Sequence, residues 1–111
     1  MIRDGRVRRA WLGVGGQTYP LARRVVRHFG LTIESGVRVE SLERVSPAAD
    51  AGMKTGDVIV GIDGLAVADV DALQRSLGAD AIARALPIMV IRAQSSHALI
   101  VMPRESPTRP R

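Results

Sequence analysis

The feature that most limits how this chain can fold is a change of hydrophobic period at Gly36. Beyond it, Val37 and Val39 alternate with Arg38 and Glu40, the two-residue repeat of a half-buried strand. A second strand is expected over residues 57–62, stopped by the turn pair Asp63-Gly64. Two more, residues 88–93 and 98–102, are joined through Gln94-Ser95-Ser96-His97 as a hairpin. Each run is short. A core made of such pieces needs several strands closing around one another.

Helical spacing appears in three places. Leu21, Val25, Val26 and Phe29 lie on one face of a helix that Thr18 caps, Pro20 opens and Gly30 ends. Arg23, Arg24 and Arg27 fall on its other side and read as a solvent face. Residues 46–52 form a short helix with Ser46 as cap, Pro47 in the first position and Gly52 as stop. Asp69 caps a second main helix whose Val70, Leu73, Gln74 and Leu77 share a face, and Gly78 closes it. Residues 79–86 read as a helical turn or a loop. The expected fold class is α+β: a partly open barrel or sandwich of five or six strands, capped by two main helices.

At 111 residues and 46% hydrophobic, the chain suits one domain. Its only aromatic residues are Trp11, Tyr19 and Phe29, so aliphatic side chains must fill the interior. The net charge is +5, and Lys54 is the only lysine among 16 basic residues. Arginines cluster at Arg3, Arg6, Arg8 and Arg9, at residues 23–27 and in the tail from Arg104, which raises nucleic acid as a partner. No zinc-finger, RNP or helix-turn-helix pattern accompanies them, and acids interleave from Glu34 to Asp80. No specific nucleic-acid partner is therefore expected. The absence of cysteine excludes disulfides, thiolate zinc sites and a Cys nucleophile. No apolar run reaches the roughly 20 residues of a membrane span, and no signal-peptide pattern opens the sequence.

Catalytic constellations are missing: no His-Glu-x-x-His, no Gly-x-Ser-x-Gly and no phosphate loop. Residues 13–18 match a dinucleotide loop only loosely and lack its third glycine. His28 and His97 read as surface residues, Asp69 and Asp71 as helix-start charges, and Asp57 and Asp63 as turn residues. The expectation is that this chain is not itself an enzyme and needs no cofactor or metal.

Residues 8–14, Arg8-Arg9-Ala10-Trp11-Leu12-Gly13-Val14, carry the functional signal. An apolar–Gly–apolar turn entering a strand can point successive N–H groups into one concavity, and such a nest binds anions. Glycine at 13 lets the chain turn tightly and a ligand approach the backbone. A peptide's terminal carboxylate is a fitting anion, and its preceding residues can add a strand beside residues 14–17.

Trp11-Leu12-Gly13-Val14 resembles the carboxylate-binding loop of PDZ domains in the form found in HtrA-like bacterial serine proteases. Residues 36–39, 46–53 and 56–64 with Val67, then 69–73 and 88–92, follow in the order of that family, so the resemblance covers roughly residues 9–104. It implies residues 1–8 as the linker from an absent trypsin-like protease domain, 9–104 as a PDZ domain and 105–111 as a flexible tail. It also implies the backbone N–H groups of Leu12, Gly13 and Val14 as carboxylate donors. The implied groove is formed by Trp11, Gly15, Gly16, Gln17, Val70, Gln74 and Leu77, with charge assistance from Arg8 or Arg9. Leu73 is expected in the core rather than the groove. Gly15 and Gly16 depart from the pattern, because a stiffer strand former would hold the pairing edge better. The implied partners are C-terminal or extended peptides and the parent's own protease domain. The parent is expected in the periplasm or cell envelope, often as a trimer. A second reading is an allosteric or assembly domain that touches its own protease.

Overall fold

The structure is a computed structural model that describes residues 9–105. Its main sheet is antiparallel and open. Strands β2 (Val14–Pro20), β3 (Ser35–Leu42), β4 (Val58–Ile62), β6 (Leu86–Arg92) and β7 (Ser95–Val101) lie in that spatial order, and the short β5 (Leu65–Ala66) pairs back on β4. A separate two-stranded sheet joins β1 (Ala10–Trp11) to β8 (Arg104–Glu105), which brings the two ends of the described chain together. The helices are α1 (Arg23–Phe29), α2 (Pro47–Asp50) and α3 (Val70–Arg75), with a 3₁₀ turn at Ala79–Ala81. This is the expected α+β, PDZ-like architecture.

Burial follows the strand period. Val37, Val39, Ile59, Ile62, Ile88, Val90 and Val101 face one core, shared with Leu12, Leu73 and Leu77. Strand β4 is apolar throughout because it is covered on both faces. Val58 and Val60 turn to the outer face and, with Ile91, pack against Leu21, Val25, Phe29, Leu31 and Ile33 of α1 and its flanks. The β4–β6 register shifts between Ile59 and Gly61, which places Ile59 and Ile62 on the same inner side.

Local signals set several boundaries as expected. Ser46 Oγ accepts from Ala49 N at 3.1 Å, and Asp69 Oδ1 accepts from Ala72 N at 2.8 Å, so both caps form. Asp63 and Gly64 both have positive φ (53° and 81°) between paired Ile62 and Leu65, the two-residue hairpin turn the sequence indicated.

Elsewhere tertiary pairing overrode the local signal. Thr18 and Pro20 do not start α1; they continue β2, opposite Val37 and Ser35, and Leu21 N still donates to Glu34 O at 2.9 Å. The helix begins only at Arg23, with no side-chain cap, and ends as expected at Gly30 (φ 63°). The β6–β7 hairpin turns at Ala93-Gln94, not through Ser95–His97. Arg92 pairs with Ser95, and His97 lies within β7 opposite Val90. The seven-residue register outweighs the turn preference of two serines. Helix α3 is capped by Ser76, and Gly78 instead precedes the 3₁₀ turn.

Asp57 is also more than a turn residue. It is 1% exposed, and its carboxylate accepts from Arg92 Nε and Nη2, each at 2.8 Å, and from Lys54 N at 2.9 Å. Arg92 also donates to the Gly52 carbonyl at 3.0 Å, which ties the start of β4 to the end of β6. Burial pushes this carboxyl upward, but the Arg92 and Lys54 hydrogen bonds outweigh it and hold the pKa below the ordinary value.

Candidate peptide-binding groove

Strand β2 is an edge of the main sheet, paired on one side with β3 alone. Helix α3 lies alongside it, tied at its start by the Val70 N–H, which donates to Thr18 Oγ1 at 3.3 Å. Between them runs a trough of about 460 Å³. Its blind end is the segment from Arg9 to Val14; its walls are Gly15, Gly16 and Val37 on one side and Val70, Leu73, Gln74 and Leu77 on the other.

The backbone at that end is oriented by its carbonyls. Leu12 O accepts from Ala48 N at 3.0 Å and Gly13 O from Glu43 N at 2.7 Å, so both are turned into the protein. Among the described residues, the N–H groups of Leu12 and Gly13 donate to no other backbone group. The Gly13–Glu43 bond flanks the Val14–Leu42 pair, and bonded and non-bonded pairs alternate along an antiparallel ladder. Val14 therefore presents its own N–H and C=O to the free edge. Gly16 does likewise, because its partner Val39 spends its N–H and C=O on Asp57 and Gly56.

Gly13 holds this geometry with a φ of +87°, and a Cβ there would lie 2.3 Å from Ser46 Cβ. The two glycines that follow are not a weakness. A Cβ on Gly16 would sit 2.7 Å from Val37 Cγ1 and 2.9 Å from Arg38 O, and one on Gly15 would sit 2.5 Å from Ser41 Oγ. They adjoin a register shift between Gly15 and Gly16, where β2 and β3 approach too closely for side chains.

The structure gathers Trp11, Leu12, Gly13, Val14, Gly15, Gly16, Val70, Gln74 and Leu77 around one trough. Gln17 lies farther along the exposed edge of β2, outside that lining. Leu73 is 6% exposed yet contributes to the trough wall, so core and groove roles coincide in one side chain. Arg9 lines the same end, its Nη2 donating to Gln74 O at 2.9 Å. Arg8 lies outside the described residues, as do residues 1–7, expected as the rest of a linker, and residues 106–111. The sequence did not reveal Val37 as a groove residue, nor Thr18 and Ser46 as supports that hold α3 and Gly13 in place. Val37 was legible as strand, but which side of it would meet α3 depends on contacts more than 30 residues away. Among the described residues, no cluster of His, Asp and Glu could hold a metal, and no helix is long and apolar enough to cross a membrane.

A free edge strand, a parallel-lying helix and a glycine turn of inward carbonyls describe a known module, and residues 16–101 match the PDZ domain family. The chain belongs to the PDZ family. The match begins just beyond Val14, so the loop at 12–14 rests on its own geometry. Curated relatives include probable periplasmic serine endoproteases, DegP-like, from Halomonas elongata (40% identical over 75 residues) and Brucella suis (39% over 77). These alignments take in 68% and 69% of this chain but only 15% of each relative, so this PDZ domain is a small part of such a protein's length. Their periplasmic name accords with the compartment expected from the sequence. Among solved structures, an HtrA-type protease, AlgW with tripeptide, superposes with TM-score 0.74 at 28% identity, covering 97% of this chain and 35% of that one. The HtrA3 PDZ domain bound to a phage-derived ligand shares the fold at TM-score 0.65 and 19% identity, covering 89% of this chain and 88% of that one.

Proposed function

We propose that this PDZ domain captures the C-termini of polypeptides, with the carboxylate on the N–H groups of Leu12, Gly13 and Val14 and the preceding residues added as a strand along β2. The observation that carries the reading is the set of inward carbonyls at Leu12 and Gly13, which leaves the loop's donors free at the blind end of an apolar trough. Leu12, Val14, Val37, Leu73 and Leu77 there suit an aliphatic last side chain. The peptide-bearing HtrA-type neighbours support the same use of the groove. In a parent of the DegP-like kind, capture would select or signal substrates for a serine protease domain in the periplasm, in an oligomer such as a trimer. The PDZ domain itself supplies no catalytic group to that reaction.

The test is calorimetry with a short apolar peptide as free acid and as C-terminal amide. Hydrogen bonds to a charged group are worth about 1.5–3 kcal/mol. Amidation should therefore weaken binding about tenfold or more. Equal affinities would remove the carboxylate from the account. Only a few residues can be contacted in such a trough, so binding should be weak and transient.

One observation favours a second use, in which the domain reports to its own protease. The incoming chain is hung on the groove helix and the residues just past its end: Arg9 Nη2 bonds Gln74 O, and Ala10 N bonds Leu77 O at 2.9 Å. A peptide pressing on α3 thus pulls directly on the linker. With the upstream domain restored, an apolar free-acid peptide should change the rate at which an unrelated substrate is cleaved, and Arg9→Met should reduce that response. An unchanged rate in the presence of bound peptide would discard coupling while leaving capture intact.

A further inference from the structure

A second surface lies on the opposite face of the sheet. Helix α1 carries Arg23, Arg24, Arg27 and His28, all exposed. At 100° per residue these four occupy an arc of roughly 140°, with Val25, Val26 and Phe29 filling the remainder. The nearest acids in sequence are Asp4 and Glu34. Arg38, Arg84, Arg92 and Arg104 each pair with a carboxylate, whereas the three arginines of α1 have no ion pair among the described residues. Beside this arc, Arg24, Val25, His28 and Phe29 join Ala93 and Gln94 of the β6–β7 turn around a cleft of about 660 Å³. One unpaired guanidinium, Arg24, thus lines a hollow with partly apolar walls, and those of Arg23 and Arg27 extend the same charged arc beyond it.

We infer that α1 and this cleft are a docking surface for an acidic segment of a separate polypeptide, one that places an apolar side chain between its carboxylates. Arginine forks match carboxylates two bonds at a time, which gives the surface geometry as well as charge. A lipid surface fits less well. The apolar side of α1 is turned onto Val58, Val60 and Ile91, and the exposed large apolar residues Tyr19, Val45, Leu65, Met89, Ile100 and Met102 all lie outside that helix. A nucleic acid fits less well because a seven-residue helix spans only about 10 Å and faces few phosphates. The parent's upstream domain is disfavoured by topology. The chain enters at Ala10, which belongs to the inner core, and the sheet separates that side from α1. The trough is also on the inner side, so both surfaces can be occupied at once.

The probe is a Glu-rich peptide with one central Leu, amidated at its C-terminus so that it offers the trough no carboxylate. In a heteronuclear NMR titration, shifts should be confined to residues 23–29 and the Ala93-Gln94 turn, and should shrink with added salt. The charge reversal R23E/R24E/R27E alters only exposed positions and should weaken the interaction at least tenfold. The same three changed to lysine should retain part of it. Binding of the free-acid apolar peptide to the trough should be unaffected by either variant, which keeps this surface separable from the groove. Shifts in the trough, no shifts, or unchanged affinity after charge reversal would overturn the inference. So would equal or tighter binding of α1 to phosphatidylglycerol vesicles or to a single-stranded oligonucleotide.

Discussion

Gly13→Val is expected to remove measurable peptide binding and to lower stability by about 3 kcal/mol, and a backbone angle and a side-chain clash explain why. Gly13 has φ +87°, a region that costs an L-residue about 1–2 kcal/mol and a β-branched one more. Its new Cβ would lie 2.3 Å from Ser46 Cβ and 2.8 Å from Ser46 Oγ, and overpacking of that kind typically costs 1–3 kcal/mol. Ser46 has no room to retreat. It is fully buried, donates to Glu43 O at 2.8 Å and accepts from Ala49 N at 3.1 Å as the cap of α2. The loop must therefore move, and with it the N–H groups of residues 12–14. Chemical denaturation measures the loss of stability; calorimetry with a free-acid peptide, at a temperature where the variant's NMR spectrum is still dispersed, measures the loss of binding. Gly13→Ala serves as the milder variant, with a smaller loss of stability and at least a tenfold loss of affinity. Wild-type affinity in a folded Gly13→Ala protein would refute the loop's role.

The parts of this fold that the sequence made legible are those whose causes lie within about four residues. The Ser46 and Asp69 caps, the Asp63-Gly64 turn and the αL stop at Gly30 each follow from a side chain or backbone angle acting on its near neighbours. The tight turn at Gly13 (φ +87°) was legible from the glycine itself, but the bonds that turn its carbonyl and that of Leu12 inward come from Glu43 and Ala48, 30 or more residues on. What escaped was set by distant partners. Thr18 and Pro20 look like a helix start until β3 is in place to pair with them. Gly15 and Gly16 look like loosened edge residues until Ser41, Val37 and Arg38 are seen to occupy the space where side chains would go. Leu73 was assigned to the core alone, because no spacing rule says that a core residue can also form one wall of an open trough.

The pair formed by Asp57 and Arg92, 35 residues apart, is the clearest case of a contact that pattern cannot supply, and it predicts a second large effect. Arg92→Met leaves the Asp57 carboxylate buried with only the Lys54 N–H to satisfy it, and losing one partner of a buried pair costs about 3–5 kcal/mol. A loss near the lower figure is expected at neutral pH, because Arg92 is itself 31% exposed and part of its bond is already to a wet group. The acid dependence fixes the sign. In the wild-type domain the Asp57 pKa is held below the unfolded value of about 3.9, so its contribution is fully present above that pH. It is lost as pH falls through the lowered folded value. In Arg92→Met the guanidinium is gone while burial remains, so the folded pKa moves upward and acid relieves the uncompensated charge by protonating it. The stability gap between wild type and variant should therefore be widest near pH 7 and narrow steadily toward pH 3 in urea titrations. A gap that stays constant across that range would mean that Arg92 contributes packing alone, and that the charge of Asp57 is not what joins β4 to β6.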